Sequence, residues 1–273
     1  HLQFWFKSND ITWRTGLDHH SAKHNADISN PNDSMFFVQN FNDAEKSTTG
    51  IYAELESHSE NSTQFRAGVR VNYVSWDAGE VDGTPATNPT GPAALLRDAF
   101  NTADRSDNET NVDLMLGISQ QVHSNLKLVA SIGRKNRSAS YQERYLWLPM
   151  RATAGLADGN TYICNIDLQP ETSHEINLGF DLQTQNLYLS PRVFYKKIND
   201  YIQGTPTSNS AAVMFSSAMM NDDTPLQFSN IDAKLYGVDL ESSWAISDHW
   251  QLESVVSYVR GERDDTDDDL YRI

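Results

Sequence analysis

Hydrophobic and polar residues alternate one by one along most of this chain, in paired runs joined by short polar breaks. Leu2, Phe4 and Phe6 alternate, residues 7–10 turn the chain, and Ile11, Trp13, Thr15 and Leu17 resume the pattern. Ile51, Ala53 and Leu55 are followed, after a break at residues 59–62, by Phe65, Ala67, Val69, Val71 and Tyr73. Val112 to Ile118 and Leu126 to Ile132 form a third pair around His123-Ser124-Asn125. Ile176 to Leu182 and Leu187 to Tyr195 form a fourth, and Tyr236 to Trp244 and Trp250 to Tyr258 a fifth. Period-two alternation on both sides of a short polar break predicts β-hairpins. Arms of about ten residues are long for a globular strand and suit a strand crossing a bilayer at a tilt.

Between the hairpins lie segments without this pattern: His19 to Ser47, residues 77–108, residues 138–170 and residues 203–229, with a shorter acidic one from Glu262 to Asp269. Only Ala93 to Ala99 suggests a helical turn or two. Short turns and long loops therefore alternate along the chain. That asymmetry marks a transmembrane up-and-down β-barrel with short turns on one side and long loops on the other. Structureless loops of this length would count against a compact soluble domain. The fold class expected is all-β. No apolar run approaches the ~20 residues of a membrane helix, which says nothing against a barrel.

Three ordered segments carry a family resemblance. The central one is Leu168, Pro170, Glu171, Ser173, Leu178, Gly179 and Asp181, continued by Tyr195, Ile198, Tyr201 and Ile202. Before it stands Arg137 to Tyr145 (RSASYQERY), with Ala139 at a place where proline is usual, and after it Asn230 to Glu241 (NIDAKLYGVDLE). Together they resemble the barrel of TonB-dependent outer-membrane receptors. The resemblance implies a 22-stranded barrel in the outer membrane of a Gram-negative bacterium, of which residues 1–273 supply about eleven strands. The plug domain and the C-terminal strands would lie outside the chain. It further implies active uptake of a scarce ligand, most often a ferric siderophore or other metal chelate, driven by the TonB complex acting through the plug. Lipid and lipopolysaccharide would surround the barrel. A passive porin-like channel and a surface docking protein are the alternatives from other classes.

Composition adjusts this picture in three places. The balance of 21 Lys+Arg against 37 Asp+Glu argues against nucleic acid, whose binding needs a basic footprint. The single cysteine, Cys164, excludes an internal disulfide and a cysteine-cluster metal site. No nucleophile elbow, phosphate loop, HExxH or paired-carboxylate motif is present, so no enzyme and no resident cofactor are expected; a metal chelate enters as cargo.

Candidate ligand contacts are few. His19, His20 and His24 cluster in a segment read as loop, where imidazoles suit copper, zinc, iron or nickel; a solvated polar loop is the plainer reading. Met214, Met219 and Met220 offer soft donors for a copper or other free-metal receptor, or simply loop packing. Tyr141, Tyr145 and Trp147 could stack on an aromatic chelator if exposed. Trp5, Trp13, Trp244 and Trp250 flank short turns and suggest an aromatic belt at the membrane interface, with Tyr73, Tyr195 and Tyr258 near the opposite strand ends. The acidic tail lacks the spacing of a calcium loop, and bridging to lipopolysaccharide through divalent cations is its alternative role.

Overall fold

The computed structural model describes residues 1–8, 10–57, 63–151 and 158–270. Ten long strands run as an antiparallel meander, each pairing with its neighbours in chain order. They are β1 (Leu2–Ser8), β2 (Ile11–Asn30), β3 (Asp33–Ser57), β4 (Thr63–Asp77), β5 (Asp107–His123) and β6 (Leu126–Arg137). After the two-residue β7 (Tyr162–Ile163) come β8 (Glu171–Gln183), β9 (Leu187–Pro206), β10 (Leu226–Ser247) and β11 (Trp250–Arg263). β7 leaves the meander and pairs in parallel with the start of β10. The break expected at residues 59–62 lies outside the described residues.

Register gathers the alternating apolar residues on one face. A single rung runs Phe65–Ile118–Ala130–Leu178–Val193–Val238–Tyr258 over seven strands. These side chains are largely exposed, Leu178 and Tyr258 at 48% and 58%, the arrangement of a sheet whose apolar side meets lipid. The opposite face is charged and internally paired. Arg14 bridges Glu54 and Glu56, Arg66 joins Glu56 at 2.7 Å, Arg70 meets Asp18 at 2.7 Å, and Lys196 meets Glu175 at 3.2 Å. Such a ladder would be costly in hydrocarbon and is natural towards a wet lumen.

Gly179 shows how closely the strands approach. A Cβ there would sit 2.3 Å from the Pro191 carbonyl oxygen and 2.6 Å from the Arg192 side chain. The glycine of the central motif is thus a packing requirement.

One expectation fails. His19 to Ser47 is not a loop: β2 and β3 continue through it and turn only at residues 31–32. With 20 and 25 residues, these strands far exceed the 9–11 that span a bilayer. Their upper halves stand outside lipid, where no face has to be apolar throughout; β3 buries Val38, Phe41 and Ala44 at irregular spacing, and alternation vanishes.

The three remaining long connections hold helices. Pro92–Thr102 (α1) begins at Gly91 with proline in its first turn, which loses no helical hydrogen bond there. Tyr141–Tyr145 (α2) starts with a capping box in which Ser140 and Glu143 satisfy each other's backbone N–H. Ser210–Met220 (α3) is capped by Asn209 and ends at Asn221 in the left-handed conformation.

Candidate functional site

The long-loop end is built around a dry core. Trp147, Tyr145, Leu146, Tyr162, Leu168, Phe100, Leu96, Ala212 and Phe215 pack with Val38, Phe41, Val74 and Trp76 from β3 and β4. α1 packs on α3 within it. We call this assembly the cap. The Trp147 indole N–H donates to the Gln39 carbonyl at 2.9 Å, and the Tyr145 hydroxyl to the Arg105 carbonyl at 2.8 Å. Burial pushes the Tyr145 phenol above its ordinary range.

The motif segments clasp one another beneath this core. Arg137 reaches Glu143 at 3.0 Å and Glu171 at 2.6 Å. Glu171 also accepts the Ile202 backbone N–H at 2.8 Å. Arg144, only 1% exposed, meets Asp107 at 2.7 Å, donates to the Leu168 carbonyl at 2.6 Å, and lies 5.2 Å over the Trp76 ring. Lys46 donates to the Ala139 carbonyl at 3.1 Å and stands 4.3 Å above the same indole. Burial lowers the Lys46 pKa, with Glu109 pulling the other way. Sequence reasoning did not single out Arg144, Lys46 or Trp76; Arg137 and Glu171 of the clasp lie in the motif segments, and the S-x-x-E capping box is a further readable signal there.

The candidate ligand residues are dispersed. His19, His20 and His24 sit on strand β2, so His19 and His20 point to opposite faces. His20 and His24 share a face about 13 Å apart along the strand, far beyond the span of one metal ion. His19 Nδ1 is 2.9 Å from the Thr49 hydroxyl, and His24 stacks on Tyr141 at 3.9 Å. Among the described residues no three His, Cys, Asp or Glu side chains converge on a common point. Met214, Met219 and Met220 lie on helix α3, not in an irregular loop; Met214 and Met219 are exposed, while Met220 packs against the cap core. Tyr145 and Trp147 are 1% exposed and cannot offer rings to a chelator, because the cap consumes them as its centre. Tyr141 is covered on one face by His24 and touched at the edge by Phe41. Cys164 is buried and its thiol is pushed up to about 12.

Register also sorts the tryptophans. Trp13, Trp244 and Trp250 share the apolar face near the short turns, but Trp5 pairs with Arg14 on the polar face. Alternation within β1 dictates this, since Phe4 and Phe6 take the apolar positions. The acidic tail is largely neutralised internally: Asp265 meets Arg263 at 2.7 Å, Asp267 meets Lys234 at 2.8 Å, and Asp269 lies 3.4 Å from Arg260. That leaves less free carboxylate for divalent bridging than the sequence suggests.

A meander of strands with one apolar face, one charged face, short turns at one end and a packed cap at the other defines a segment of a large transmembrane β-barrel. The chain belongs to the TonB-dependent receptor-like β-barrel family, whose model matches residues 1–273. Members of this family are outer-membrane proteins of Gram-negative bacteria. Among solved structures the chain is similar to the copper transporter OprC, with TM-score 0.70 and 16% identity over 97% of this chain and 37% of that one. It is also similar to the FrpB iron transporter of Neisseria meningitidis, with TM-score 0.59 and 14% identity over 96% of this chain and 34% of that one. The ferric yersiniabactin uptake receptor FyuA of Yersinia pestis gives TM-score 0.58 and 15% identity over 97% and 34%. No curated protein sequence matches the chain. The chain therefore spans about a third of the length of these structural relatives, and the likeness is one of fold.

Proposed function

We propose that the protein containing this chain takes up a metal-related ligand across the outer membrane, a ferric siderophore or other metal chelate, with energy supplied through TonB. Family membership and relatives named for copper, iron and ferric yersiniabactin support this reading. The observation that carries it is the cap, a packed assembly standing over the charged face of the sheet. A passive pore needs no such structure, whereas a receptor needs a preorganised surface for its ligand. The cap would position ligand-contacting side chains, and the charged wall would line the passage and face the plug.

Exposed Met214 and Met219 support a second reading, capture of a soft metal such as copper. One experiment tests both. A strain lacking the full-length protein is grown under iron limitation and under copper limitation, with and without TonB. A TonB-dependent defect relieved by a ferric chelate supports the first reading, and one relieved by copper the second. Unchanged growth and unchanged uptake of labelled metals would overturn both.

A further inference from the structure

The cap carries a lopsided charge. Residues 25–43 at the top of the β2–β3 hairpin, which packs on the cap core through Ile28 and Phe36, belong to it with the connections 78–106, 138–170 and 207–225. Together these segments hold twelve carboxylates, four arginines and no lysine. All four arginines are committed locally. Arg97 bridges Asp82 at 3.1 Å and Asp98 at 2.8 Å. Arg105 donates to the carbonyls of Ala78, Phe100, Asn101 and Ala103. Arg144 is buried against Asp107, and Arg151 donates to the Met220 carbonyl at the end of α3.

Carboxylates are left over. Asp27, Asp33, Glu80, Asp104, Asp167 and Asp223 are exposed, and among the described residues no cationic side chain bridges them. α3 adds no charge of its own from Ser210 to Met220 and shows the thioethers of Met214 and Met219 to solvent. Met35 on the hairpin top, 82% exposed, is a third bare thioether. The wall below is different, because Arg14, Arg66, Arg70 and Lys196 each meet a carboxylate there. Unbalanced negative charge therefore gathers at the cap. An entrance of one sign concentrates counter-ions and repels like charge. Holding an anionic chelate takes arginine or lysine donors turned towards it, and the cap spends its arginines on itself.

We infer that the cargo received at this cap is a positively charged metal species, a metal cation or a chelate of net positive charge, and that anionic chelates are turned away. The inference rests on the proposed uptake of a metal-related ligand and narrows its substrate class. The dispersed carboxylates act through their summed field, so no fixed coordination geometry is asked of them, and the thioethers add soft donors.

The test measures uptake of four labelled probes by a receptor-deficient strain expressing the full-length protein, with and without TonB. The probes are cupric ion, a ferric trihydroxamate bearing a free ammonium group, the same complex with that amine acetylated, and a multiply negative ferric tricatecholate. TonB-dependent uptake should be fastest for cupric ion or for the ammonium-bearing complex, at least about tenfold faster than for the tricatecholate. It should slow as ionic strength rises. The Asp33→Asn/Glu80→Gln/Asp104→Asn/Asp223→Asn variant should raise the KM for the favoured probe about threefold or more with the maximal rate unchanged. Asp248→Asn, at the short turn between β10 and β11, should behave as the wild type.

Fastest uptake of the tricatecholate, uptake of the acetylated complex as fast as that of the favoured positive probe, or an unchanged KM in the fourfold variant would each overturn the inference and leave the transporter reading in place. Absence of TonB-dependent uptake for every probe would remove that reading and the inference with it. Should the fourfold variant fail to assemble, the comparison of probes on the wild type still decides.

Discussion

The Arg137 guanidinium lies 2.6 Å from the Glu171 carboxylate, joining residues 34 apart in sequence at the edge of the cap. Each belongs to a different motif segment, one preceding α2 and the other opening β8. The pair closes the 138–170 connection as a belt buckle would, and Glu171 adds the Ile202 N–H to hold β9 in the same knot. The residues that make the sequence legible as a family member are the ones that fix this connection's two ends.

Removing Glu171 should therefore open the cap before it harms the sheet. Glu171→Ala leaves Arg137 without one of its two carboxylates and the Ile202 N–H without its acceptor. Loss of one partner of a buried pair costs about 3–5 kcal/mol, and the partial exposure of Arg137 brings this to about 2–3 kcal/mol. Hydrogen exchange should rise across residues 141–150 and 160–165 while β8 stays protected. Equal protection in variant and wild type would show that the clasp contributes nothing.

Trp147→Ala should hollow the cap core. Truncating a fully buried tryptophan costs about 3–5 kcal/mol, and here it also strands the Gln39 carbonyl. Limited proteolysis should cut the cap loops of the variant much faster, with the barrel still running as a folded species on an unheated gel. Intact cap loops at wild-type rates would contradict the assigned core.

Cys164 should resist alkylation at pH 8, because burial holds its thiol near 12. The unfolded thiol, with an ordinary value of about 8.5, loses its proton first. Between those values the folded form binds more protons, so this group's contribution to cap stability is complete below about 8.5 and falls as pH rises towards about 12. Iodoacetamide labelling followed by mass spectrometry reads it; fast labelling of the native protein would be the contrary result.

Gly179→Val should impair assembly of the sheet itself, since even a Cβ would collide with the Pro191 carbonyl. Overpacking of this kind costs about 1–3 kcal/mol. The yield of heat-modifiable barrel in the membrane fraction should drop, and a normal yield would mean that the strands separate at little cost.

Met214→Leu together with Met219→Leu should leave uptake of a ferric chelate unchanged and lower uptake of copper if soft donors matter. Both side chains are exposed on α3, so the change should move stability by less than about 0.5 kcal/mol. Metal uptake by cells expressing each version makes the comparison.

Legibility in the sequence followed the solvent. Where lipid meets one face and water the other, residues such as Phe65, Val69, Ile118 and Leu178 alternate, and the strands could be read off directly. Above the membrane no face of β2 and β3 has to be apolar throughout; β3 gives Val38, Phe41 and Ala44 to the cap core at irregular spacing and the β2–β3 register shifts between His24 and Asn30, so His19 to Ser47 carries no period and reads as loop although it is strand. The cap was unreadable for a different reason. Tyr145 ends a polar run and Trp147 stands between two leucines, either of which suits an exposed platform as well as a core centre; only long-range packing decides, for Tyr145 against Trp76 and Phe100 and for Trp147 within the cap core.

The Trp147–Gln39 bond spans 108 residues, whereas the ten long strands hydrogen-bond to chain neighbours. This sets an order of events. The meander can zip hairpin by hairpin, each step closing a small loop at small entropic cost. The cap has no such local route, because its centre needs β3, β4, α1, α2 and α3 in place at once. It must be the last part to form and the first to come apart, so the ligand recognition proposed for the cap would exist only in a barrel segment that has already finished threading its strands through the membrane.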